Sequence, residues 1–203
     1  MADDAIQEQL IAARRAQILE AAVKVFAAKG YHRATIPDIA REAGIAVGTI
    51  YNYFGKKDDL LLALLHHVNE SDQRSDDLAL AAEMDVREFA RTYVRKRFEL
   101  MTTEGLDVLR ATLPEVLVNP ELRTLYMEQI ILPTFAIGEP HFQHLMDLGK
   151  IRKMDIRLTM RAIAATFLGL LMLRMLGDPV VEAQWDDIPD LLADMILNGY
   201  MPQ

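Results

Sequence analysis

A chain of 203 residues, 51% hydrophobic and 26% charged with a net charge of −8, has the composition of a globular protein able to bury one sizeable core or two small ones. It contains no cysteine, which excludes a disulfide scaffold, thiolate catalysis and cysteine-ligated zinc, and suits a reducing, cytoplasmic location. The opening MADDAIQEQL is acidic and lacks the basic-then-apolar order of a secretory signal. The most apolar stretch, residues 162–173 between Arg161 and Arg174, falls short of the roughly 20 residues a spanning helix needs and reads as a buried helix.

Charge is unevenly spread. Residues 1–57 hold 8 Lys/Arg against 6 Asp/Glu, whereas residues 58–203 hold 14 against 24. A small basic head on an acidic body suits a head that meets a polyanion. Chance clustering gives the same counts, and charge alone does not choose between them.

In chain order the periodicity is helical nearly throughout, with no convincing alternating strand, so the expected class is all-α. Ile18, Ala21, Ala22, Val25 and Phe26 form one apolar stripe of a first helix, closed by Lys29 and Gly30. TIPDIAREAG (35–44) opens a second: Thr35 and Asp38 can cap each other, and Pro37 suits a first turn. After the turn 44–46 a third helix is expected over about 47–54, then a fourth carrying Leu60, Leu61, Leu64, Leu65 and Val68. The polar run 69–77 is the best candidate seam, or else the exposed tail of the fourth helix. DVRE (85–88) starts a helix running to about Met101. Pro114, Pro120, Pro133 and Pro140 punctuate the helical segments beyond it, as breaks or first-turn residues. Long apolar helices are expected over about 154–176 and 188–198.

On a wheel of about 100° per residue, Ile50 and Phe54 mark the buried side of VGTIYNYF (47–54). Gly48, Thr49 and Asn52 point away, and Tyr51 and Tyr53 take the two flanks. A helix laid in a DNA major groove meets phosphate walls on both sides and base edges beneath. Tyrosine hydroxyls reach the walls, while small Gly48 and Thr49 let the backbone approach the bases. Lys57 is placed to meet a phosphate, as is Thr35 at the N-terminus of the second helix. Second helix, glycine turn and third helix together make a helix-turn-helix.

TIPDIAREAGIAVGTIYNYFGKKDDL (35–60) closely resembles the DNA-binding head of the TetR family of bacterial repressors. Thr35, Ile39, Ala40, Ala43, Gly44, Gly48, Thr49, Tyr51, Phe54, Lys57 and Leu60 fit its pattern in register. Two positions depart from it. Ala46 and Lys56 stand where family members usually carry capping serines. The resemblance implies a helix-turn-helix domain over 11–71 and a helical ligand-binding and dimerisation domain over 72–203. It also implies phosphate contacts from Thr35, Tyr51 and Lys57, and base-edge contacts from Val47, Gly48, Thr49, Asn52 and Tyr53. Any one such residue alone is usually mere surface; it is the constellation that carries the expectation.

The same resemblance implies a homodimer on double-stranded palindromic operator DNA, released by a small-molecule effector. Ile163, Phe167, Leu170 and Leu171, with Leu191, Leu192 and Met195, offer more apolar surface than a monomer readily covers and are the expected interface. Tyr93, Phe98, Met101, Tyr126 and Phe135, in company with Phe89 and Phe142, are the candidate pocket residues, although such spacing more often marks plain core. His66 and His67 with Glu70, and the pair His141 and His144, supply too few ligands for a structural metal. They read as exposed helical histidines, so neither metal nor cofactor is expected. An activator, or a regulator answering to a metal or protein, would use the same head. A helical enzyme on a borrowed fold is the remote rival, and the chain lacks G-x-S-x-G, H-E-x-x-H and a phosphate-cradling glycine loop.

Overall fold

A computed structural model of the chain describes residues 2–69, 84–99, 101 and 103–200. Among these the regular structure is helical throughout: α1 Ala2–Lys29, α2 Ile36–Ala43, α3 Val47–Tyr51, α4 Lys57–Asn69, α5 Val86–Glu99, α6 Thr103–Val118, α7 Pro120–Tyr126, a π-helical turn Met127–Ile131, α8 Leu132–Asp147, α9 Ile156–Met175, α10 Pro179–Ala183 and α11 Ile188–Tyr200. The all-α expectation holds. The proposed seam at 69–77 lies, apart from Asn69, outside the described residues.

Two compact units form, Met1–Asn69 with Asp107–Met127, and Glu70–Leu106 with Glu128–Gln203. In the first, the α1 stripe is buried as the periodicity requires: Ile18 and Ala22 are fully enclosed and Phe26 nearly so. Upstream, Ile6, Leu10 and Ile11 are exposed, so α1 starts well before its packed face. Gly30 takes φ +73°, and its N–H bonds Phe26 O at 2.8 Å, a left-handed stop that only glycine adopts freely. α2 then crosses α1 through Ile36, Ile39, Ala40 and Ala43. Leu60, Leu61, Leu64 and Leu65 of α4 close the core. α7 packs on α4 within the same unit. Asn119 caps α7, its side-chain oxygen accepting from the N–H groups of Glu121 and Leu122 at 3.0 and 3.3 Å.

In the second unit α11 packs along α5 around Val94, Phe98, Val181, Ile188, Leu192 and Ala193, covered by Phe167, Leu170, Trp185 and Ile196. Phe98 sits edge-on to Phe167 at 4.9 Å and tilted against Trp185 at 5.0 Å. Two exposed ion pairs, Arg91–Asp194 at 3.0 Å and Arg95–Asp190 at 2.7 Å, run along the α5–α11 seam.

Three expectations need correction. Pro114 and Pro140 break nothing: each lies inside a helix, α6 and α8, whereas Pro120 and Pro133 occupy first turns. The third helix ends at Tyr51, not near 54. Beyond it the chain tightens, with the N–H groups of Tyr53 and Phe54 both bonding Ile50 O at 2.9 Å, and Phe54 is buried. The apolar stretch 162–173 is not a buried helix either. α9, with mean hydropathy 1.6, has only 11% of its most apolar stretch buried within the chain: it packs α8 and α10 and turns Phe167 and Leu170 to the α5–α11 core, but Leu158, Leu168, Met172 and Leu173 stay exposed. By length and composition it is the one helix among the described residues apolar enough to cross a membrane.

Candidate nucleic-acid interface

The head presents α3 on a rigid base. Thr35 and Asp38 form the anticipated capping box, with Asp38 N–H bonding Thr35 Oγ1 at 3.3 Å and Thr35 N–H bonding the Asp38 carboxylate at 3.2 Å. The Thr35 hydroxyl also donates to that carboxylate at 2.8 Å. Lys29 lies 2.7 Å from the other Asp38 oxygen. Hydrogen bonds from Lys29 and Thr35 hold the Asp38 carboxyl down at about 2. Gly44, at φ +67°, turns the chain tightly so that α3 leaves at an angle to α2.

On α3 the division of faces is clean. Ile50 is fully buried and Phe54 is 3% exposed, whereas Val47 is 37% and Tyr51 53% exposed. Gly48 and Asn52 are exposed as well, with Thr49 and Tyr53 half-buried on the margins. A Cβ added at Gly48 would meet nothing within 4 Å, so packing does not demand a glycine there. α1 pins the chain on both sides of α3: Arg15 bonds Tyr53 O at 3.1 Å and stacks 4.4 Å over the Phe54 ring just after it, and Gln17 bonds Ala43 O at the end of α2 at 2.7 Å. Ala46 provides no side-chain cap.

Lys57 is placed differently from its expected phosphate role. Its ammonium bonds Tyr31 O at 2.7 Å and Ala34 O at 3.1 Å and lies 4.1 Å from the Tyr31 ring centroid. It therefore ties α4 to the loop before α2. Tyr31 itself is buried and donates to Asp58; burial, then that carboxylate, pushes its phenol well above the usual range. Arg41 and Lys56 are exposed cations of the head, with side chains 76% and 52% exposed. Neither was among the expected DNA contacts, and the basic count of the head was their signal.

These features are those of a known family. Residues 18–64 match the family described as bacterial regulatory proteins, tetR family. The head of the chain is of the tetR type. Over 60 residues it is 50% identical to the HTH-type transcriptional regulator HbdR of Aromatoleum sp. (strain CIB), a match spanning 30% of this chain and 26% of that protein. It is 29% identical over 157 residues to the fatty acid metabolism regulator protein of Bacillus subtilis (strain 168), spanning 74% of this chain and 77% of the relative. Among solved structures it is similar to the Bacillus subtilis transcriptional regulator FadR in complex with stearoyl-CoA, at TM-score 0.69 and 26% identity over 87% of this chain and 96% of that one.

In the body of the chain the predicted residues scatter. Phe98 and Met101 are buried, Phe98 in the α5–α11 core. Tyr93 flanks Phe89 instead, Phe135 is covered by the Arg161 guanidinium at 4.4 Å, and Tyr126 ends α7 half-buried. A surface groove lined by Arg91, Thr92, Arg95, Lys96, Glu99 and Asp190 contains none of them. Of the expected interface residues, Leu171 and Leu192 are spent inside the chain, at 2% and 4% exposure. Leu191 and Met195 are about 60% exposed, and Ile163, Phe167 and Leu170 are half-buried. The outward apolar residues that periodicity alone did not separate are Leu158, Leu168, Met172, Leu173 and Leu176. His66 is half-buried and His67 exposed, Glu70 lies outside the described residues, and His141 is half-buried, contrary to its exposed reading. No group of three or more His, Asp or Glu suited to a metal occurs among the described residues.

Proposed function

We propose that this chain is a homodimeric repressor that binds a palindromic operator through residues 11–71 and is released when residues 72–203 take up a small-molecule effector. The observation that carries the reading is α3. Its inner face is locked by Ile50 and Phe54, while Val47, Gly48, Tyr51 and Asn52 face outward without a structural task. Tyr51 and Thr35 serve as phosphate contacts, and Val47, Gly48, Thr49, Asn52 and Tyr53 lie toward the base edges. Lys57 supports the head from within, and Arg41 and Lys56 join the phosphate contacts. The outward apolar residues of α9, its C-terminal cap and α11, Leu158, Leu168, Leu173, Leu176, Leu191 and Met195, form the face that a second copy covers, beside Ile163, Phe167 and Leu170. A two-fold pair of heads then reads half-sites one helical turn apart or a multiple of it. Similarity to a regulator solved with stearoyl-CoA supports an effector in the body. Such a protein works in the cytoplasm, where the DNA is.

The test is to select bound fragments from sheared source DNA and titrate the best site at two salt concentrations. A palindrome bound as a dimer, weakening steeply with salt and weaker in Tyr51→Phe, is the expected result. Binding no tighter than to random fragments, by protein shown to be free of small molecules, overturns the reading.

A further inference from the structure

We propose that His141 anchors the effector by a hydrogen bond, and that the effector is a compact apolar molecule carrying an uncharged hydroxyl or phenol. The inference rests on the effector-bound regulator reading and adds to it an anchoring residue and a ligand chemistry.

His141 projects from α8 into an aromatic setting. Its ring lies 5.6 Å from Phe89 and 5.8 Å from Phe142. Phe89 in turn lies 5.4 Å from Tyr93, and Met84, Tyr93 and Ile137 pack around it. Within this wall the Nε2 atom of His141 is buried and has no hydrogen-bond partner among the described residues. Buried polar atoms in folded proteins are nearly always paired, because the water they lost must be replaced. A fold that needed only bulk here would do better with phenylalanine. An imidazole nitrogen held among aromatic rings suits a partner that is apolar on its faces and polar at one edge.

The chemistry narrows the partner further. Desolvation, then neighbouring His144, lowers the His141 pKa, so the ring is neutral and offers no charge to an anion. The nearby cation, Arg97, is already engaged within the fold, 5.3 Å from the Tyr93 ring. A neutral imidazole presents Nε2 as donor or acceptor according to tautomer, and a hydroxyl answers either. A carboxylate or ammonium would enter an apolar wall unpaired, at a heavy desolvation cost.

The probes are 2-naphthol and naphthalene, which differ by one hydroxyl, titrated calorimetrically into the full-length protein. The wild type should prefer 2-naphthol by about tenfold, the size of one net hydrogen bond, even though naphthalene is the more hydrophobic. In His141→Phe the preference should vanish. In wild type labelled with ¹⁵N-histidine, the His141 Nε2 resonance, assigned by its loss in His141→Gln, should move with 2-naphthol and not with naphthalene. That measurement stands even if His141→Phe fails to fold.

Equal affinities in the wild type, a preference that survives His141→Phe, an unmoved resonance, or no binding of either probe overturns the inference; an ordered water on Nε2 then explains the atom. Selected operator DNA is titrated with the same preparations. Tight DNA binding without probe binding removes this inference alone, whereas a wild type that binds no DNA specifically removes the regulator reading beneath it.

Discussion

Gly48 separates folding from recognition at a single position. Its surroundings are open, and alanine is the better helix former by roughly 0.5–1 kcal/mol. Gly48→Ala should therefore leave the urea midpoint unchanged or raise it, while weakening operator binding in a fluorescence titration because the added methyl stands between backbone and bases. Loss of stability with affinity intact would refute the role given to it. Asp38 makes the pH-dependent prediction. Its carboxyl is held at about 2 against an ordinary 3.8, so its stabilisation is complete above that ordinary value and is lost as pH falls through about 2. The difference in unfolding free energy between wild type and Asp38→Asn should be constant near neutrality and shrink across that acid window. Both positions were legible in the sequence, one from the wheel and one from the capping spacing. The commitment of Lys57 to Tyr31 O and Ala34 O was not, since those carbonyls come from a loop more than 20 residues away in sequence.

At the scale of elements, α3 is short and bare at its start. Ala46 has extended backbone suited to a cap but no oxygen to offer, and supplying one is worth about 1 kcal/mol. Ala46→Ser should raise unfolding stability by about that amount in urea, with α3 unchanged by crystallography. α1, α2 and α4 were readable because each buries one clear stripe on a neighbour close in sequence. The end of α3 was not, because hydrogen bonds to Ile50 O and the packing of Phe54 terminate it rather than any glycine or proline. Pro114 and Pro140 misled for a related reason: a proline ends a helix only when nothing else holds the two sides in line, and packing on neighbouring helices does so here. The π-helical turn Met127–Ile131 left no mark in composition.

For the molecule as a whole, the outward and inward residues of α9 and α11 predict opposite phenotypes. Leu168→Glu alters an exposed side chain and should leave the fold intact while shifting sedimentation from dimer to monomer. Leu192→Ala removes a buried one and should cost about 2–5 kcal/mol of stability. A monomeric wild type at micromolar concentration would refute the interface. The second whole-molecule prediction concerns signalling. α6 begins in the second compact unit and ends in the first, where buried Glu115 meets His32 of the head at 2.9 Å and Glu121 of α7 approaches Lys56 at 3.6 Å. His32→Ala should leave effector-free operator affinity nearly unchanged but reduce the effector's power to release DNA by on the order of 0.5–2 kcal/mol of coupling. Operator titrations with and without effector measure it, and an unaltered ratio would dismiss the contact as a relay.

Local chemistry was enough to specify the helical class, the head and its outward residues, because these rest on periodicity, capping and a short, closely spaced motif. Long-range packing had to decide which apolar residues of α9 and α11 are core and which are surface, that Lys57 is a strut, and that a histidine nitrogen is buried without a partner among the described residues. Each of those depends on a neighbour distant in the chain. Helical spacing says that a side chain is on a face, but only the packing of one helix on another says whether that face is covered.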